Sequence, residues 1–262
     1  MKCFSVLLFC FLSFAVSSEG QVKKGSNVYR LPEAEAAKTI SLNPDFLVFG
    51  EALATGEEKL PLLIVLHGGG DPGLDIEKIR GFSNRFARAV DQAGIEAIVV
   101  GPQASKSPAK EGAKGGWIPA DLDVLLDHLL KTFPIDPERV YLTGNSMGGY
   151  GTYAWAGVNP GRFAAIAPTV GGLGALGPKD ITPDLDLWGK NLATLPMKTY
   201  YGALDKTVPA DRGEMILKAI KNAGGTKAEL IVYDDLGHDA ARRPYSDPEF
   251  YLWLFSHRRT GK

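Results

Sequence analysis

The chain has 262 residues, 45% of them hydrophobic, and its 29 lysines and arginines nearly cancel its 30 aspartates and glutamates. A balance this even leaves no basic footprint for a nucleic acid. The only two cysteines are Cys3 and Cys10, so the body of the chain offers no disulfide, no thiol nucleophile and no cysteine metal site.

The N-terminus reads MKCFSVLLFCFLSFAVSSEG. Lys2 supplies a minimal positive region, residues 4–16 form an apolar stretch, and Ala15-Val16-Ser17 gives small residues at a cleavable spacing. The stretch is too short to span a bilayer and no stop-transfer pattern follows, so residues 1–18 are predicted to be a cleaved secretory signal. That implies a secreted or periplasmic protein with no stable membrane insertion after cleavage. Phe9 before Cys10 argues against a lipid anchor. Residues 19–44 are polar and mixed, a lead-in of uncertain structure in which 33–38 can form a helix. Residues 45–262 are enough for one large core and read as a single domain.

Within that domain the first strand is expected at 46–49. Leu60-Pro61-Leu62-Leu63-Ile64-Val65-Leu66 is a short continuous apolar run, which fits a strand buried on both faces. A helix at 79–93, stopped by Gly94, leads to a second buried strand at 95–100. Leu122, Leu125, Leu126, Leu129, Leu130 and Phe133 recur at helical spacing until Pro134. Strands are then expected at 140–143, 163–167, 197–203 and 228–233. Helices are expected at 149–156, at 212–223 and from Asp247-Pro248 to about 257. This alternation predicts an α/β fold, a mostly parallel central sheet with helices on both faces.

Gly144-Asn145-Ser146-Met147-Gly148 sits between a buried strand and a helix. A serine at the apex of a tight strand-to-helix turn is held at strained dihedrals, and glycines two before and two after relieve the crowding. The turn lifts the hydroxyl clear of the sheet and aims the first helical amides at the same point.

A serine hydroxyl needs a base. There are four histidines. His128 falls on the polar face of a predicted helix with Asp121, and His257 lies in the last turn of the final helix, so both read as surface residues. His67 ends the first buried strand ahead of three glycines. His238, in Asp234-Asp235-Leu236-Gly237-His238, follows the last strand, and loops at the carboxyl ends of parallel strands form sites. Its acid partner is expected to be Asp205, which lies just past a strand in Gly202-Ala203-Leu204-Asp205. Asp234, Asp235 and Asp239 stand too close to His238 in sequence to reach its far nitrogen easily. The glycines of His67-Gly68-Gly69-Gly70 let backbone amides approach an oxyanion. The amides of Gly69 and Met147 are expected to form that hole.

Gly68-Gly69-Gly70-Asp71-Pro72-Gly73 also satisfies the dinucleotide pattern G-x-G-x-x-G. Pro72 removes a needed donor, and the next strand ends Gly101-Pro102-Gln103 without an acid for a ribose. Asp71, Asp75 and Glu77 fit no established calcium loop. No metal and no organic cofactor is expected.

With the Ser-Asp-His order in hand, His67-Gly-Gly-Gly, residues 134–153, Gly202-Ala-Leu-Asp-Lys-Thr-Val-Pro and Gly237-His238-Asp239 resemble a branch of secreted α/β-hydrolases. That branch includes feruloyl- and acetyl-esterase-like enzymes, polyhydroxybutyrate-depolymerase relatives and proteins labelled predicted peptidases or phospholipase/carboxylesterases. The likeness runs from about residue 46 to 258. It implies cleavage of a small-molecule or polymer-linked ester through an acyl-enzyme on Ser146. It further suggests a substrate pocket walled by Trp117, Tyr150, Gly171 and Gly172. Two departures stand out: Ala240-Ala241 replace a frequent Ser-Trp, and Asn145 replaces a bulkier apolar residue. A small serine peptidase, a non-catalytic binding protein on the same scaffold, and a thioesterase or lipase stay open as alternatives.

Overall fold

The computed structural model of the protein describes residues 27–51, 58–105, 116–175, 177 and 179–259. The expected secretory leader lies outside them. Eight strands form one sheet: β1 (Val28–Arg30), β2 (Leu42–Phe49), β3 (Leu60–Leu66), β4 (Ile98–Ala104), β5 (Ile135–Asn145), β6 (Ala165–Thr169), β7 (Met197–Gly202) and β8 (Ala228–Tyr233). The helices are α1 (Glu33–Ala36), α2 (Arg80–Gln92), α3 (Pro119–Thr132), α4 (Met147–Val158), α5 (Leu185–Leu192), α6 (Asp211–Asn222), α7 (Arg242–Tyr245) and α8 (Pro248–Phe255). The strand order is β1-β2-β4-β3-β5-β6-β7-β8. β2 pairs antiparallel with both β1 and β4, and the six strands from β3 to β8 run parallel to one another.

Alternation along the strands assigns each face its helices. In β3, Leu62, Ile64 and Leu66 face a core filled by α3 and α4, with Leu122, Leu126 and Trp155. Leu63 and Val65 face the opposite core, with Phe86 and Val90 of α2 and Phe250 and Leu254 of α8. All seven residues of β3 are buried. This explains the unbroken apolar run: a strand covered on both sides has no polar face to show.

The structure departs from the sequence reading at several places. β4 starts at Ile98 rather than 95 because Gly94 adopts φ 71° and the Ile95 amide bonds back to the Val90 carbonyl at 3.1 Å. Ile95 therefore belongs to the helix stop, a Schellman-type cap, and not to the strand. The sheet also begins before residue 45, since β1 and the start of β2, Leu42 to Pro44, fall in the stretch read as a lead-in. Buried polar residues hide that strand from a periodicity reading. Asn43 donates to Gln103 Oε1 at 2.8 Å, and Asp45 pairs with Arg30 at 2.7 Å. The helix α5 lies in a stretch where no element was expected.

His128 is not a surface residue. It is 5% exposed, with Nδ1 2.7 Å from Glu35 Oε2 and its ring edge-on to Phe46. Asp121 is buried as well and accepts the Ile40 and Ser41 amides. Both corrections have one cause: α1 and the turn after it fold over the face of α3 that looked solvated. Among the described residues, no helix is long and apolar enough to cross a membrane.

Candidate active site

Ser146 stands between β5 and α4 at φ 56° and ψ −115°, in a region that non-glycine residues seldom enter. Its amide donates to the Thr169 carbonyl at 3.0 Å, which pins the turn to the end of β6. The flanking glycines are sterically required. A Cβ on Gly144 would lie 2.5 Å from the Gly148 carbonyl oxygen, and one on Gly148 would overlap the Leu66 carbonyl oxygen. Both obstacles are backbone, so neither can swing away. The elbow is packed against the end of β3 as tightly as backbone permits.

The three side chains expected to work together are brought together. His238 Nε2 is 2.8 Å from Ser146 Oγ, and His238 Nδ1 is 2.7 Å from Asp205 Oδ2. A carboxylate only accepts, so Nδ1 carries the proton and Nε2 turns its lone pair to the hydroxyl. Asp205 is held on its other oxygen, where Oδ1 accepts the Thr207 and Val208 amides at 2.8 and 2.9 Å. Its side chain is completely buried, while that of His238 is 32% exposed. The loops after β7 and β8 are tied to each other by Leu204 N–H to the Leu236 carbonyl and Ala203 N–H to the Tyr233 carbonyl, both at 2.9 Å. Two of the three rival carboxylates are engaged elsewhere: Asp235 forms a two-pronged pair with Arg243, and Asp239 pairs with Arg242.

Gly69 is exposed and Met147 half-buried. A Cβ on Gly69 would lie 4.0 Å from the Met147 Cβ, so the two residues are neighbours. Among the described residues, neither amide donates a hydrogen bond. Two adjacent free donors beside a serine are what an oxyanion requires.

His67 supports this loop from inside. It is fully buried, its Nε2 accepts the Ala104 amide at 3.0 Å, and its Nδ1 donates to the Gly68 carbonyl at 2.8 Å. Burial pushes its pKa below the usual imidazole value. The unfolded chain therefore takes up a proton that the folded chain refuses. Stability is full above the ordinary value of about 6.5 and is lost as pH falls through the lower folded value. In a series of melting curves from neutral to mildly acidic pH, His67→Gln is expected to lose less of its Tm than the wild type. Parallel curves for the two proteins would refute that role.

The expected pocket walls fare differently. Trp117 is 3% exposed. Its indole donates to the His67 carbonyl at 3.2 Å, and its ring fills the space where a Cβ on Gly151 would stand. Trp117 packs as a brace behind the glycine loop. Gly171 and Gly172 are buried too. A Cβ on Gly171 would lie 2.6 Å from the Gly149 carbonyl carbon, so this glycine exists to let the β6 loop meet α4. Tyr150 alone of the four is partly exposed, with its ring 6.2 Å from that of Trp188. Asp75 caps the turn Ile76–Ile79 through the Glu77 amide, and Glu77 pairs with Arg80.

Sequence reading missed Tyr245, Thr143 and Thr169, whose hydroxyls meet beneath the elbow. A threonine near the end of each of two adjacent parallel strands was the available signal.

A parallel sheet in this order, with a strained serine after its fifth strand, an acid after its seventh and a histidine after its eighth, is the α/β-hydrolase fold. Comparison with known proteins agrees. The prolyl oligopeptidase family matches residues 109–188. A protein of Escherichia coli O157:H7, provisionally named a carboxymethylenebutenolidase, is 35% identical over 109 residues, 39% of this chain and 37% of that one. Among solved structures, a thermostable esterase aligns with TM-score 0.68 at 24% identity, over 82% of this chain and 59% of that one. A ferulic acid esterase aligns with TM-score 0.58 at 19% identity, over 80% and 89%. The chain spans between about a third and a half of the length of the curated relatives it matches.

Proposed function

We propose that this protein is a serine hydrolase that cleaves carboxylic esters through an acyl-enzyme on Ser146. The observation that carries the reading is the unbroken hydrogen-bonded chain from Ser146 Oγ to His238 to Asp205, at 2.8 and 2.7 Å. Ser146 attacks the ester carbonyl while His238 Nε2 takes its proton. The carbonyl oxygen becomes an anion and is held by the Gly69 and Met147 amides. Collapse expels the alcohol, which receives the proton from His238. A water, deprotonated by the same nitrogen, then releases the acid and restores the serine. The buried charge of Asp205 favours the imidazolium that forms in each half-reaction. The apolar leader at residues 4–16 supports export, so the substrate class proposed is an ester met outside the cytoplasm, free or attached to a polymer.

The match to the prolyl oligopeptidase family favours a peptidase as the second reading. That match covers the elbow but ends before Asp205 and His238, and both solved structures compared above are esterases. The ester reading is therefore preferred. The deciding assay sets p-nitrophenyl acetate against an aminoacyl p-nitroanilide with the mature protein. Turnover of the acetate, with a covalent acetyl group on the peptide containing Ser146, supports the ester reading. Preference for the anilide would transfer the protein to the peptidases, and inertness toward both substrates and toward a fluorophosphonate would leave a binding protein.

A further inference from the structure

Ser146 follows β5 and His238 follows β8, with β6 and β7 between them in the sheet. Two loops that far apart must hold one nitrogen 2.8 Å from one oxygen. Something has to fix the loops against each other across the sheet, because a displacement of about 1 Å between reacting groups can cost 100-fold in rate.

The chain leaving His238 forms α7 and ends it with Tyr245, whose hydroxyl passes back under the elbow. Tyr245 Oη lies 2.9 Å from Thr169 Oγ1 and 3.1 Å from Thr143 Oγ1. The proton count fixes the direction of these bonds. Thr169 Oγ1 donates its hydrogen to the Gly144 carbonyl at 3.0 Å, and Thr143 Oγ1 donates to the Ala167 carbonyl at 2.6 Å. Each threonine has only lone pairs left to offer, so Tyr245 is the donor and shares one hydrogen between them. Burial pushes its pKa up to about 12, and the donor proton stays in place at every working pH. The bonds lead directly to the nucleophile. Gly144 opens the elbow, and the Thr169 carbonyl holds the Ser146 amide at 3.0 Å.

An apolar contact runs beside this one. Val170 adopts φ 41°, an outlier for a β-branched residue. It is fully buried against Ala240 and Ala241, the two residues after His238-Asp239, with Tyr245 packed on the same cluster. Strain of this kind persists only where the surroundings impose it, and here they are the segment carrying the base.

We propose that Tyr245 is a positioning residue that sets the register between the His238 loop and the Ser146 elbow, acting through Thr143 and Thr169. The proposal rests on the serine-hydrolase reading. It makes no contact with substrate and adds no step to the reaction.

The test measures the rate of serine labelling by a fluorophosphonate per folded molecule, beside kcat and KM for p-nitrophenyl acetate, in wild type, Ser146→Ala, Tyr245→Phe and Thr143→Val. Tyr245→Phe leaves no donor unpaired, so Tm is expected to move little, while labelling rate and kcat fall together about tenfold and KM stays within about twofold. Thr143→Val is expected to fall by less. The double variant should be no slower than Tyr245→Phe alone, since both substitutions break one connection. If Tyr245→Phe does not fold, Thr143→Val carries the test by the same criteria. A merely structural tyrosine would lower the folded fraction and leave the rate per folded molecule at the wild-type value, and that result overturns the proposal. Wild type labelling no faster than Ser146→Ala would overturn the hydrolase reading and this proposal with it.

Discussion

Ser146→Ala is expected to lower kcat for p-nitrophenyl acetate by about 10^6-fold, with KM and Tm close to wild type. The size follows from what remains. Without Oγ there is no atom to attack, and His238 loses the proton it was placed to receive. The Gly69 and Met147 amides survive, so some rate above that of water is retained. The fold should not suffer. Among the described residues, Oγ has one partner, His238 Nε2, and the turn itself is held by backbone: the Ser146 amide on Thr169 and the Tyr150 amide on the Ser146 carbonyl at 2.9 Å. Stopped assays with active-site titration, together with a melting curve, check both halves. A variant that keeps a tenth of the activity would remove Ser146 from the chemistry.

Much of this site could be read from the chain because its parts obey local rules. Gly144 and Gly148 flank Ser146 for a steric reason that any sequence must satisfy. Asp205 and His238 each follow a strand that the sequence located, and a parallel sheet delivers all such loops to one edge. The strand 228–233 falls where it was expected for the same reason. What escaped depends on partners distant in sequence. The packing of Trp117 could not be read from the chain because an aromatic residue in a glycine-rich loop carries no sign of direction. Only the fold reveals that Gly151 leaves a space behind it. His128 and Asp121 looked solvated because their cover, α1, is a single turn with too few residues to show a period. The start of β2 was obscured by Asn43, Pro44 and Asp45, polar or breaking residues, of which Asn43 and Asp45 are satisfied across the sheet. Tyr245 is 99 residues from Ser146 in sequence, and nothing short-range marks its hydroxyl as bound for the elbow.

Asp205→Asn is expected to cost about 10^4-fold in kcat with the fold intact, and the structure says why an isosteric change is so damaging. Asp205 Oδ1 accepts two backbone amides, from Thr207 and Val208. An asparagine must keep its carbonyl oxygen there, because turning its NH2 toward two N–H groups would bury three donors facing one another. The NH2 is then aimed at His238 Nδ1. That nitrogen can no longer donate and has to accept, so the imidazole proton moves to Nε2, the atom that faces Ser146. A base with its lone pair on the wrong side cannot take the hydroxyl proton, although no heavy atom has moved. The expected signature is specific: kcat collapses, KM and Tm stay near wild type, and activity returns in part at high pH, where hydroxide can replace the missing base. Asp205→Ala should behave differently. It orphans two buried amides at a cost of about 1–3 kcal/mol each, so its Tm falls as well as its rate. If Asp205→Asn instead retained wild-type kcat, the carboxylate would be only a turn cap for Thr207 and Val208, and the orienting partner of His238 would have to be sought elsewhere.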